Sequence, residues 1–385
     1  MFGPNGKHAD SAKSITRNLR NLPTAAQNKT KFIYCNMMYT VASHLLESRT
    51  ETPFGELLDS RLFQPLQMNS TALFKDGVDA KGRLDCIVPG YIWCPQKQIQ
   101  TRVKHSDSGP ETQGASGIHA STIDFAKWVR ALMNRKGPIT EAIYQQLTEN
   151  LTPQDEDEGS NEDLGGSMMH YSFGWDVIHH ENYTCFMHKG GELGYQCVQF
   201  FIPEFKFGGV MFSNSGHADI VMDQLRHRLI EARVRGQNGE AYTDDTFDTH
   251  DLPDDETQPS EEYYFNELLE EVKQAIHPKK SDTPELQQLP LSLYTGNYWN
   301  AGYKNFMVEE ENGSLIINAH NRSLAFKIEF VHVHAQKGYA AIMHFEMEPS
   351  TVIEAEFVLE DGGAVSLGLD LEEEIDGKIW FQRVL

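Results

Sequence analysis

Two hydrophobic rhythms separated by a polar tract constrain this chain more than any other feature. Up to about residue 235, short β-prone runs mix with segments whose apolar residues recur at helical spacing. After Pro290 the pattern becomes many short alternating strands, broken by Asn312-Gly313 and Asp361-Gly362, dipeptides that accept the positive φ angles of tight hairpins. Between the two, Gly236 to Glu262 is dominated by Asp, Glu, Thr, Gly and Pro, which bury too little apolar area to offset the entropy of ordering. The 385 residues are ample for two cores. The expected organisation is an α/β (α+β) layered domain at residues 1–235, an acidic linker with a helix at 236–285, and a small antiparallel β-barrel at 286–385.

Within the first domain, Tyr34 and Asn36 stand just ahead of a helix whose apolar residues are Met38, Val41, Ala42, Leu45 and Leu46, with Asn36 as its expected N-cap. Ser121 opens a second helix as a capping residue, with Asp124 at N3 and Phe125, Trp128, Val129, Leu132 and Met133 as the buried stripe. Residues 72–116, between them, read as loop-rich. Tyr183–Met187, Tyr195–Ile202 and Gly208–Ser213 predict an antiparallel meander, covered by a helix that presents Ala218, Val221, Leu225, Leu229 and Ala232. Another helix is expected near 263–276, with Phe265, Leu268, Leu269, Val272 and Ile276 on its apolar side.

The formal net charge of -23 repels phosphate backbones and anionic lipid, so neither nucleic acid nor a membrane surface is expected as a partner. The first residues carry no apolar signal-peptide core, and no run approaches the length of a membrane span, so a soluble, cytoplasmic protein is expected. Five irregularly spaced cysteines without a C-x-x-C pair point to buried free thiols. No metal site is expected either: His179-His180 and His332-x-His334 lack partner ligands at metal spacing, and the acidic tract Asp155–Asp163 holds no histidine.

Several short motifs occur in a telling order. Tyr34-Cys35-Asn36 is followed by Phe63-Gln64-Pro65-Leu66-Gln67-Met68-Asn69-Ser70-Thr71, then by Gly114-Ala115-Ser116-Gly117, Tyr171-Ser172-Phe173-Gly174-Trp175 and His188-Lys189-Gly190-Gly191. Together they resemble the serine β-lactamase and penicillin-binding-protein-like family, including class C β-lactamase-related esterases and peptidases. Gln67 departs from the family's glycine. The resemblance implies an antiparallel sheet with helices, and the last hundred residues are similar to the β-barrel that many relatives carry. It further implies Tyr34 as the proton-shuttling base, Asn36 as a substrate or network contact, and His188 and Gly190 as the third motif on the strand lining the cleft. Gly191 would donate a main-chain N–H to an oxyanion hole, and Gly117 would border the substrate. The implied reaction is esterase, amidase or acyl-transfer chemistry on a small-molecule ester or amide, without a cofactor. Oligomeric state and any setting in secondary metabolism stay open.

One family element is missing. The nucleophile belongs to an S-x-x-K motif well before Y-x-N, yet no serine in this sequence has a lysine three residues on, and Ser14 is followed by Arg17, too basic to serve. Without that serine the expectation is a chain with little or no acyl transfer, either a shortened hydrolase or a non-catalytic binding or regulatory protein of the same fold. It should also expose a sheet edge and part of its apolar core.

Overall fold

The computed structural model describes residues 9–27, 30–94, 99–103, 109–149, 151–154, 169–237, 261–277, 286–345 and 349–384. Cα packing separates two units, Asn28–Thr246 and Met1–Gln27 together with Phe247–Leu385. The first helix, α1 (Ala12–Asn18), goes with the C-terminal residues. The middle unit begins with α2 (Asn36–Thr50), α3 (Phe54–Leu58), β1 (Ala72–Leu73), α4 (Phe74–Ala80), β2 (Tyr91–Cys94), β3 (Ile99–Arg102) and β4 (Ile118–His119). The stretch expected to be loop-rich thus holds a helix and a β2–β3 hairpin.

Next come α5 (Thr122–Asn134), α6 (Glu141–Glu149), β5 (Thr152–Pro153), β6 (Met169–Ser172), β7 (Trp175–His179), β8 (Thr184–Glu192), β9 (Tyr195–Ile202), β10 (Phe207–Ser213) and α7 (Asp219–Gln237). Strands β5 to β10 form one six-stranded antiparallel meander in the order β10-β9-β8-β7-β6-β5. Alternation gives it two apolar faces. Trp175, Val177, Phe186 and Phe201 pack against Val129 and Leu132 of α5 and Tyr144 of α6. Ile178, Cys185, Met187 and Phe200 pack against Met222 and Ile230 of α7. Ser121 caps α5 as expected, its hydroxyl accepting from the Asp124 N–H at 3.2 Å.

Two helices turn the other way from their apolar stripes. In α2 the buried residues are Thr40 and Ser43, while Met38, Leu45 and Leu46 are exposed. The hydroxyls of Thr40 and Ser43 donate to the carbonyls of Glu111 and Gln113, at 3.2 and 3.3 Å. The carbonyls of a neighbouring segment therefore claim the polar face. Asn36 is the first helical residue rather than the N-cap, which is Cys35 with no side-chain bond. In α7 the expected covering face is reversed too: Met222, Arg226 and Ile230 are buried, and Val221, Leu225 and Leu229 are exposed. The expected open edge is present, since among the described residues β10 pairs only with β9 and Phe212 stays exposed.

In the other unit, α8 (Glu261–Ile276) precedes β11 (Gly296–Asn300), β12 (Lys304–Glu311), β13 (Ser314–Asn318), β14 (Phe326–His334), β15 (Gly338–Phe345), β16 (Thr351–Glu360), β17 (Gly363–Leu369) and β18 (Ile379–Val384). The eight strands close into a barrel, as the alternation predicts. Its interior is filled by Tyr294, Tyr298, Phe306, Phe330, Tyr339, Phe357 and Phe381 with aliphatic neighbours. Helix α8 lays Phe265, Leu268, Leu269, Val272 and Ile276 over Ala340, Ile342 and Val352 on the barrel's outside. Asn312 and Gly313 both take positive φ, at 51° and 83°, whereas at Asp361-Gly362 the positive φ falls one residue later, on Gly363 at 116°. The expected acidic linker lies mainly in 238–260 and the tract Asp155–Asp163 wholly in 155–168, outside the described residues. Among the described residues no helix is long and apolar enough to cross a membrane. The described cysteines Cys35, Cys86, Cys185 and Cys197 are free, but only Cys185 is fully buried and Cys86 is exposed.

Candidate active site

The segment entering α2 and the strand β8 converge on one cavity. The Tyr34 and His188 ring centroids lie 6.3 Å apart. Tyr171, from β6, stands 6.2 Å from Tyr34 and 6.4 Å from His188, with the Phe32 ring tilted at 39° and 4.8 Å from it. Phe32, Tyr34, Gln154, Asp176, His188 and Lys189 line a cavity of about 350 Å³. A second, largely apolar cavity of about 320 Å³ shares Phe32 and Tyr34 and continues along Met38, Tyr39 and Ala42.

Local chain geometry sets the polar groups. The Tyr34 hydroxyl donates to Asn36 Oδ1 at 3.1 Å, which ties two of the expected site residues together at the helix start. His188 Nδ1 lies 2.6 Å from the Lys189 carbonyl, an acceptor only, so Nδ1 carries a proton and the neutral ring offers Nε2 as its acceptor. The Lys189 ammonium pairs with Asp223 of α7. Burial, followed by the Tyr39, Asp176 and Cys35 groups, raises the Tyr34 phenol above its ordinary value. A phenol that acts as a base needs the opposite shift, produced by a cation close to its oxygen.

Strand β8 supplies the backbone edge. Its pairing with β7 ends at Met187 opposite Asp176, while residues from Phe186 through Glu192 pair with β9. Lys189, Gly190, Gly191 and Glu192 therefore keep one side of their backbone free of a β7 partner. Gly190 and Gly191 lie along this edge, beyond the cavity's lining. Gly117 is outside the lining as well; its turn is brought to the end of β8 by the Ser116 hydroxyl bonding Glu192. Gly117 has φ +93°, and a Cβ there would come within 2.3 Å of the Phe74 ring, so the position needs glycine for packing alone. Gln67, where the family has glycine, takes φ 57°, so the backbone keeps the left-handed conformation without it.

The structure thus unites Tyr34, Asn36 and His188 and extends from them along Gly190 and Gly191. It adds Tyr171, Asp176 and Gln154, to which motif reading gave no role. Tyr171 lay in plain view inside Tyr171-Ser172-Phe173-Gly174-Trp175, and Asp176 follows it directly, but Gln154 carries no sequence signal. Among the described residues no three His, Cys, Asp or Glu side chains gather as a metal-holding group.

A family model described as Beta-lactamase matches residues 2–232, and one described as Domain of unknown function (DUF3471) matches residues 280–383. An unguisins hydrolase of Aspergillus campestris is 24% identical over 393 residues, covering 98% of this chain and 68% of that protein. An unguisins hydrolase of Aspergillus violaceofuscus is 26% identical over 404 residues, covering 97% of this chain and 67% of that protein. Both relatives are longer, and this chain spans about two thirds of each. Among solved structures, the octameric penicillin-binding protein homologue from Pyrococcus abyssi aligns with 17% identity and a TM-score of 0.48, over 97% of this chain and 70% of that one. With a family model matching well over half of the sequence, the chain belongs to the Beta-lactamase family of hydrolases.

Proposed function

We propose that this chain holds the substrate cleft of a β-lactamase-related serine hydrolase acting on a small-molecule ester or amide, and that the nucleophilic serine is not among its own residues. The observation that carries the reading is the meeting of Tyr34 and His188 across one cavity, at 6.3 Å between rings. In this reading Tyr34 is the proton shuttle once a cation stands beside it, and His188 positions the substrate by accepting from one of its N–H or O–H groups at Nε2. Asn36 and Gly190 contact the substrate, Gly117 borders it, and the Gly191 N–H supplies half of an oxyanion hole. Both curated relatives are named as hydrolases, which favours hydrolysis over acyl transfer.

The test is intact-mass analysis after treatment with a fluorophosphonate or a β-lactam. The expected result is an unmodified chain; a stable adduct on any serine overturns the assignment of the nucleophile. A second reading, a binding protein of the same fold without turnover, draws on one observation. With no S-x-x-K lysine in the sequence, burial and then the Tyr39, Asp176 and Cys35 groups raise the Tyr34 phenol above its ordinary value, opposite to what a base needs. An in-frame S-x-x-K coding segment upstream in the DNA favours the enzyme, and a folded chain that binds acyl compounds with no such segment favours the binding protein.

A further inference from the structure

We propose that Asp176 makes this cavity select acyl compounds that carry a protonated amine. The inference rests on the reading of the cavity as the substrate site. Asp176 lies on β7 and lines the cavity together with Phe32, Tyr34 and His188. Its carboxylate accepts from Gln154 Nε2 at 3.0 Å, a neutral donor. Among the described residues no lysine or arginine forms an ion pair with it, and Lys189, the cation on the same cavity, is spent on Asp223. The charge is felt locally: after burial, the leading cause, Asp176 contributes to raising the phenols of Tyr34, Tyr39 and Tyr171.

A carboxylate without a cationic partner among the described residues, in a cavity also lined by the rings of Phe32 and Tyr34, is an arrangement that holds an ammonium group. The carboxylate gives a charge-assisted hydrogen bond, and the rings give cation–π attraction. An acyl group carrying a carboxylate would instead meet like charge. The formal net charge of -23 adds long-range attraction for a cationic ligand.

Binding separates the outcomes without needing turnover. Phenylalaninamide and 3-phenylpropanamide differ only by the amine, and at about pH 6 that amine is charged, being below its ordinary range near 8. Calorimetry on the full chain is expected to show phenylalaninamide binding about tenfold tighter. Asp176→Asn keeps an acceptor for Gln154 and should bring the two affinities together. Equal binding in the unchanged chain, or a preference that survives Asp176→Asn, overturns the inference while leaving the cavity reading intact. If neither amide binds, the cavity reading itself falls, and amine selection with it.

Discussion

Asp124 is 3% exposed, and its carboxylate is fully engaged. It accepts from the Ser70 N–H at 2.6 Å, the Thr71 hydroxyl at 3.1 Å and the Lys127 ammonium at 2.7 Å, which pins the Phe63–Thr71 motif to the start of α5. Burial opposes its ionisation, yet these donors outweigh burial and hold the carboxyl below its ordinary value. A carboxyl lowered on folding contributes stability that is present above its unfolded value and is lost as pH falls through the folded one. Acid titration of stability should therefore show a loss below about pH 4 that Asp124→Asn removes. Asp124→Ala is expected to cost about 2–4 kcal/mol in urea unfolding, since it strands buried donors and a lysine. Gly117→Ala should cost at least about 2 kcal/mol, because it meets both a ring and an unfavourable φ. Thermal unfolding checks it.

Helices α2 and α7 show why amphipathicity names a stripe but not its partner. Each has an apolar row in the sequence, and in each that row is exposed while the opposite side is buried. The sheet accepts Met222 and Ile230, and the 109–116 segment accepts Thr40 and Ser43 through hydrogen bonds. Substitutions can read which side is buried. Ile230→Ala is expected to cost about 2–4 kcal/mol, whereas Leu225→Glu should stay within about 0.5 kcal/mol. The open edge and exposed rows also predict binding of an environment-sensitive hydrophobic dye by the native chain at neutral pH. Replacing Val221, Leu225 and Leu229 together by glutamate should weaken that signal. In α8, by contrast, the predicted stripe and the buried side coincide, because the barrel's outer surface offers the apolar patch of Ala340, Ile342 and Val352.

For the whole molecule, the barrel was the most legible part. Alternation and the Asn312-Gly313 turn announce closed antiparallel strands, and the ring cluster around Phe357 fills them. Phe357→Ala, fully buried against Tyr294, Tyr298, Phe330 and Tyr339, is expected to cost about 3–5 kcal/mol in denaturant unfolding. Half of the candidate site was legible too, since Tyr34, Asn36 and His188 stand in ordered motifs. Sequence alone determined the two rhythms, the meander, the cap at Ser121 and the motif order, because periodicity, turn chemistry and capping act between residues close along the chain. Only the tertiary structure decided which faces of α2 and α7 are buried, and that Asp176 and Gln154 enter the cavity of Tyr34. Those outcomes depend on which surfaces lie opposite each other in space, and no local pattern encodes the identity of a distant partner.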